Sequence, residues 1–120
     1  MKLLVTPKLL IVCVLASTSA YADVTENQLK EVVHLLDFIK KSDCIINRNG
    51  TDHTAEKGVV HIENKYKYFK DKIKRTEDFI KYSATKSTMS GKYYTVTCPE
   101  KEMIKTQDWL LTELKTHRSK

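Results

Sequence analysis

Cys-Ile-Ile-Asn-Arg-Asn-Gly-Thr-Asp-His-Thr, residues 44–54, decides the fold. Cys44 to Arg48 is rich in β-branched side chains, and the Asn49-Gly50 that follows is a strong hairpin signal, because both turn positions tolerate positive φ. Thr51 to His53 is the returning strand. A hairpin set early in a chain whose remainder reads mostly as helix makes an α+β domain.

Before the hairpin, Thr25 and Gln28 make a capping box, and Leu29, Val32, Val33, Leu36 and Ile39 recur at helical spacing up to Lys40, Lys41 and Ser42. After it, Thr54 is an N-cap with Glu56 in the first turn, where negative charge suits the helix dipole. The second helix carries Val59, Ile62, Tyr66, Phe69 and Ile73 on one stripe. Thr76 is read as the cap of a third, shorter helix, with Glu77 and Asp78 behind it and Phe79 and Ile80 for burial. Residues 87–92, Ser-Thr-Met-Ser-Gly-Lys, form a loop; Tyr93 to Cys98 alternates as a strand until Pro99 stops it. A last helix from about Thr106 to His117 presents Leu110, Leu111 and Leu114 beside Trp109. The expected architecture is α+β, with about four helices and a small antiparallel sheet of two or three strands, the hairpin plus a later strand.

The amino terminus reads as an export signal. Lys2 and Lys8, an apolar run from Leu9 to Ala16, and Ala20-x-Ala22 make a cleavable signal peptide over residues 1–22, leaving one domain over residues 23–120. The run is far short of the roughly 20 residues that span a bilayer, and bulky Ile11 and Val12 before Cys13 do not fit a lipoprotein site. Cleavage would leave 98 of the 120 residues, and the loss of Lys2 and Lys8 would lower the net charge from +6 to +4. That is too weakly basic for a nucleic-acid-binding composition, and no second stretch is apolar enough to enter a membrane. Two cysteines would survive, Cys44 and Cys98; in an oxidising compartment they are read as one structural disulfide stapling the first hairpin strand to the later strand. Closing a loop of that length is worth roughly 4 kcal/mol on the chain-entropy model.

Several of these signals fall in a recognisable order: Arg48-Asn49-Gly50, Thr54-Ala55-Glu56, His61-Ile62 with Lys65-Tyr66, Thr76 to Ile80, Ser90-Gly91-Lys92, Cys98-Pro99 and Trp109-Leu110. In that order the chain resembles the YfeK-like family, small uncharacterised proteins of Gram-negative bacteria that carry a signal peptide. The resemblance runs from about Leu29 to Leu114 and implies a periplasmic location, with secretion as the alternative, and no established activity. Gly58 stands where the family more often has alanine, at about 1 kcal/mol of helix stability, and Tyr93 where proline is more usual.

The candidate binding surface comprises Arg48, Asn49, Gly50, His61, Lys65, Ser87, Ser90, Gly91 and Lys92. His61 and Lys65 share a helix face and, with Arg48 and the 87–92 loop, would make an anion-accepting pocket. The simpler reading is that these side chains tie the hairpin and loop to the helices. A hydrolase would need Ser87 or Ser90 beside a base such as Lys92, Lys65 or His61, but neither serine sits in Gly-x-Ser-x-Gly or Ser-x-x-Lys. His34, His53, His61 and His117 are scattered like surface histidines, and neither a metal nor a cofactor is expected. Snorkelling lysines around a core explain the interleaved bases and aromatics of residues 65–72 better than nucleic-acid binding. The expected function is a non-catalytic binding module for a periplasmic protein or an anionic envelope component. The alternatives are a small hydrolase using the 87–92 loop and an inhibitor of an envelope hydrolase. Oligomeric state is not encoded in any motif.

Overall fold

The computed structural model describes residues 25–120; the expected signal peptide lies outside them. Helix α1 (Glu26–Lys40) leads into strands β1 (Ile45–Arg48) and β2 (Thr51–Thr54), then α2 (Ala55–Tyr68), a 3₁₀ turn (Lys70–Lys72), α3 (Thr76–Ser83), β3 (Thr95–Thr97), β4 (Ile104–Lys105) and α4 (Thr106–Arg118). The sheet is antiparallel with order β2-β1-β3-β4. β4 pairs Ile104 with Val96 and was not foreseen; two residues carry too little pattern to be read.

The hairpin forms as the sequence implies. Arg48 pairs with Thr51 across a two-residue turn in which Asn49 and Gly50 take φ of 53° and 83°. The alternating pleat puts Ile46 and Val96, paired with each other, on the face that meets the helices, and leaves Ile45 and Thr97 on the exposed side. One residue beyond the Ile45–Thr97 pair, Cys44 and Cys98 are joined by a disulfide. At the other end, one step past Asn47–Thr95 and on the Ile46 face, stand Arg48 and Tyr94.

The helices cover that one face. Phe79, Leu35, Ile39, Ile46, Ile73, Ile80, Leu110 and Leu114 are fully buried between them. Three details depart from the sequence reading. In α1 the core stripe is Val32, Leu35 and Ile39, while Leu29 and Val33 are exposed; apolar residues surround more than half of this helix, so packing chooses the face. α2 ends at Tyr68, and Ile73 reaches the core from beyond the 3₁₀ turn, which folds α3 back so that Tyr66 meets Phe79 at 5.3 Å and Phe69 meets Tyr82 at 5.5 Å. Thr76 does not cap α3. Asp78 accepts the amides of Lys74 and Arg75 at 3.1 and 3.2 Å, and the buried Thr76 hydroxyl donates to Glu31 at 2.6 Å.

The expected capping box of α1 is present, with Gln28 and Thr25 exchanging backbone-to-side-chain bonds. Thr54 caps α2 through the Lys57 amide. Leu111 is partly exposed while Leu110 and Leu114 face the core, and Trp109 packs on Phe38 at 4.9 Å. Among the described residues no helix is long and apolar enough to cross a membrane.

Candidate functional site

A cleft of about 440 Å³ opens where the free end of the β1–β3 ladder meets α2 and the 87–92 loop. Its position follows from the pleat and from one glycine. A Cβ on Gly58 would stand 2.5 Å from Ile46 Cδ1, so the glycine lets α2 lie close on β1. Arg48, two residues along the same face of β1, then comes level with His61 and Lys65, one and two turns along α2. All three line the cleft, with Asn49, Ser87 and Tyr94.

Tyr94 is 3% exposed and anchors the polar wall. Its hydroxyl lies 3.1 Å from His61 Nε2 and accepts from Lys65 Nζ at 3.2 Å, while Nζ also donates to the Lys86 carbonyl at 2.8 Å. The ammonium sits 5.0 Å from the centre of the Tyr94 ring. These partners hold Lys65 but do not neutralise it. Arg48 is less provided for: its Nε is buried and has no hydrogen-bond partner in the protein. The other buried side-chain atoms in that condition among the described residues are the neutral hydroxyls of Ser83 and Thr106.

No carboxylate lines the cleft among the described residues, and the titrations show the consequence. Burial, reinforced by the charges of Arg48 and Lys65, pushes His61 down to about 4. Burial and Arg48 also lower Lys65, and burial raises Tyr94. The wall therefore presents Arg48 and Lys65 as cations beside a neutral imidazole at neutral pH.

The 87–92 loop is tied to the hairpin turn. Ser87 Oγ accepts from Asn49 Nδ2 at 3.4 Å and from the amides of Met89 and Ser90 at 3.2 and 3.1 Å, and Ser90 Oγ donates to Asn49 Oδ1 at 2.7 Å. Gly91, at φ 74°, closes the loop by donating to the Ser87 carbonyl. Both serine oxygens are engaged with Asn49 and main-chain amides, the Lys92 amide included, and His61 with Tyr94.

The candidate residues thus divide. Arg48, His61 and Lys65 converge on the cleft; Asn49 and Ser87 line it while holding loop to hairpin; Gly50, Ser90 and Lys92 do not line it. Gly91 borders a second cleft that shares Lys65, Phe69, Ser87 and Thr88 with the first. Asn64 and Tyr94 line the site and were missed. The parity of Tyr94 with Val96 in a strand-like run was the signal for one, and the i+3 spacing from His61 for the other. The histidines are not uniformly superficial either. His61 is built into the wall, and His34 stacks on His117 at 3.9 Å with Glu113 2.7 Å from its Nε2. Among the described residues no group of three or more His, Cys, Asp or Glu side chains is placed to hold a metal ion.

The chain is therefore a small α+β domain, stapled at one end of its central ladder and polar at the other. The profile of the family of unknown function DUF5329 matches residues 26–118, and the chain belongs to that family. It is 30% identical over 85 residues to the uncharacterized protein YfeK of Salmonella typhimurium strain LT2, covering 70% of this chain and 71% of that one. No solved structure is similar.

Proposed function

We propose that this protein is an exported, non-catalytic binding module whose cleft accepts an anionic group of an envelope component in the periplasm. The observation that carries this reading is the buried Arg48 Nε without a partner, beside Lys65, in a cleft that no carboxylate lines. A buried guanidinium N–H left unpaired is costly, and the planar fork of the half-buried Arg48 suits a carboxylate or phosphate. Support for export comes from the Lys2, Lys8, apolar-run and Ala20-x-Ala22 pattern and from the Cys44–Cys98 bridge. Arg48 and Lys65 supply charge, Tyr94 and Lys86 place the Lys65 ammonium, and the Asn49–Ser87–Ser90 clasp sets the wall opposite α2.

Titration with inorganic phosphate and with acetate, followed by nuclear magnetic resonance of the Arg48 Nε–H and His61 ring signals, tests the reading. Saturable shifts at both groups are expected, with His61 rising from about 4 as the anion offsets its cationic neighbours. Arg48→Met should weaken binding at least ~10-fold, the loss of a charge-assisted bond. Shifts that do not saturate, or that survive Arg48→Met, would overturn it.

A further inference from the structure

The rim of the cleft differs from its floor. Tyr68, at the end of α2, is 80% exposed, and Met89, at the tip of the 87–92 loop, is 97% exposed; both line the same cleft as Arg48 and Lys65. Two large apolar side chains standing clear of the surface on either side of a cationic pocket do not serve the core. The surrounding sequence is strongly basic. From Lys65 to Arg75 there are six basic residues, Lys65, Lys67, Lys70, Lys72, Lys74 and Arg75, against Asp71 alone, and residues 84–92 add Lys86 and Lys92 with no acid. The adjoining cleft extends this character: it adds Lys81 and Lys86, and no carboxylate lines it among the described residues.

We infer that this surface docks on an anionic phospholipid membrane, with a phosphate headgroup held in the cleft by Arg48 and Lys65 while Tyr68 and Met89 enter the interfacial layer. The inference rests on the anion-binding reading above and adds its occupant. Amphipathic tyrosine and flexible methionine suit the headgroup boundary, and basic residues beside it are drawn to the surface charge, roughly 5-fold in affinity for each one close to the membrane. Nucleic acid is the poorer fit. Successive exposed aromatics are wanted there to stack one base after another, whereas beside the exposed Tyr68 the neighbouring rings are covered, Tyr82 by Lys81 at 5.2 Å and Tyr93 by Lys105 at 4.1 Å.

Co-sedimentation of the purified protein with vesicles of phosphatidylglycerol mixed into phosphatidylcholine, against phosphatidylcholine alone, tests it, with soluble glycerol phosphate titrated in parallel. Binding to the anionic vesicles alone is expected, weakening as salt rises. Tyr68→Ser and Met89→Ser should each reduce vesicle binding roughly 3- to 10-fold and weaken glycerol phosphate binding far less, since they stand at the rim while Arg48 and Lys65 carry the charge; both side chains are exposed, so folding is not at stake. Arg48→Met should weaken both. Glycerol phosphate binding without vesicle binding would overturn the inference and leave the anion site standing. Vesicle binding indifferent to Tyr68 and Met89, or preference for a soluble polyuronate or an oligonucleotide over vesicles, would overturn it as well. Loss of every anion, inorganic phosphate included, would remove the underlying reading itself.

Discussion

Arg118 and Arg48 belong to the same small protein and are treated oppositely. Arg118, at the end of α4, meets Glu31 through Nε at 2.8 Å and Nη2 at 2.9 Å, and Glu77 through Nη1 at 2.6 Å. Its carboxylates are held low, Glu31 at about 2, chiefly by the guanidinium, and the cluster ties α4 to α1 and α3. Arg48 Nε has no such partner, and burial, with the Arg48 charge behind it, lowers His61 and Lys65. A cation with its counterions built in is a structural joint. One whose neighbours are all cationic or neutral lowers stability until something anionic arrives, which is why the second is the candidate site.

Exchanging each arginine for methionine should separate the two roles, with the largest effect at Arg118. Arg118→Met leaves Glu31 and Glu77 without their cation and should lower stability by about 2 kcal/mol in urea unfolding, a figure already discounted for the solvent exposure of the cluster. Anion affinity should not change. Arg48→Met should leave stability level or slightly raised, since it removes like-charge repulsion and keeps the stem. A loss at Arg48 matching that at Arg118 would mean that Arg48 is a joint too.

The pH dependence sharpens the contrast. His61 titrates near 4 in the folded protein against 6.5 in the unfolded chain. Between those values the unfolded chain binds more protons, so stability is complete above pH 6.5 and falls as pH drops toward 4, by on the order of 1–3 kcal/mol. Glu31 acts in a lower window: its folded value of about 2 against 4.5 gives stability that is lost as pH falls from 4.5 toward 2. His61→Asn should flatten the upper window and Arg118→Met the lower one. Saturating phosphate should also flatten the upper window, because a bound anion favours the protonated imidazole. Unfolding followed against pH by circular dichroism reads all three.

A smaller change would make the Arg48 site resemble the Arg118 cluster. Asn64 is exposed on α2 and lines the cleft, and Asn64→Asp adds a carboxylate with almost no change of shape. Phosphate affinity should fall about 5-fold, His61 should titrate higher, and stability should rise by a few tenths of a kcal/mol, the usual scale for an exposed pair. Unchanged affinity would place the bound anion away from Arg48.

What the sequence revealed of these two sites follows from how each is encoded. The hairpin, both helix caps around it and the disulfide are local or pairwise signals, and the His61 and Lys65 pair was legible because helical spacing put both on one face, while Arg48 was brought in only by its place beside the Asn49-Gly50 turn. The Arg118 cluster was not legible. It joins residues 31, 76, 77 and 118, brought together only when α1, α3 and α4 pack, and Thr76 looked like a helix cap because its hydroxyl has the right chemistry for either task. β4 and the choice of Leu35 over Leu29 in α1 were set by tertiary packing in the same way.

Gly58 joins local propensity to packing, and its replacement gives the most diagnostic effect. Alanine there should stabilise α2 by about 1 kcal/mol, yet its Cβ would meet Ile46 Cδ1 at 2.5 Å, inside a core where Ile46 is 1% exposed. Overpacking of this kind costs roughly 1–3 kcal/mol, so Gly58→Ala alone should be neutral to destabilising by about 2 kcal/mol. Ile46→Val removes the colliding methyl. In that background Gly58→Ala should turn stabilising, giving a favourable coupling of roughly 1–3 kcal/mol in a double-mutant cycle. Because the same contact sets the distance between α2 and β1, Gly58→Ala alone should also draw Arg48 away from Lys65 and weaken phosphate binding a few-fold, and the double variant should restore it. Additive effects would show that Ile46 turns aside without moving the helix, and that the spacing of the cleft is fixed elsewhere, by the clasp between Asn49 and Ser87.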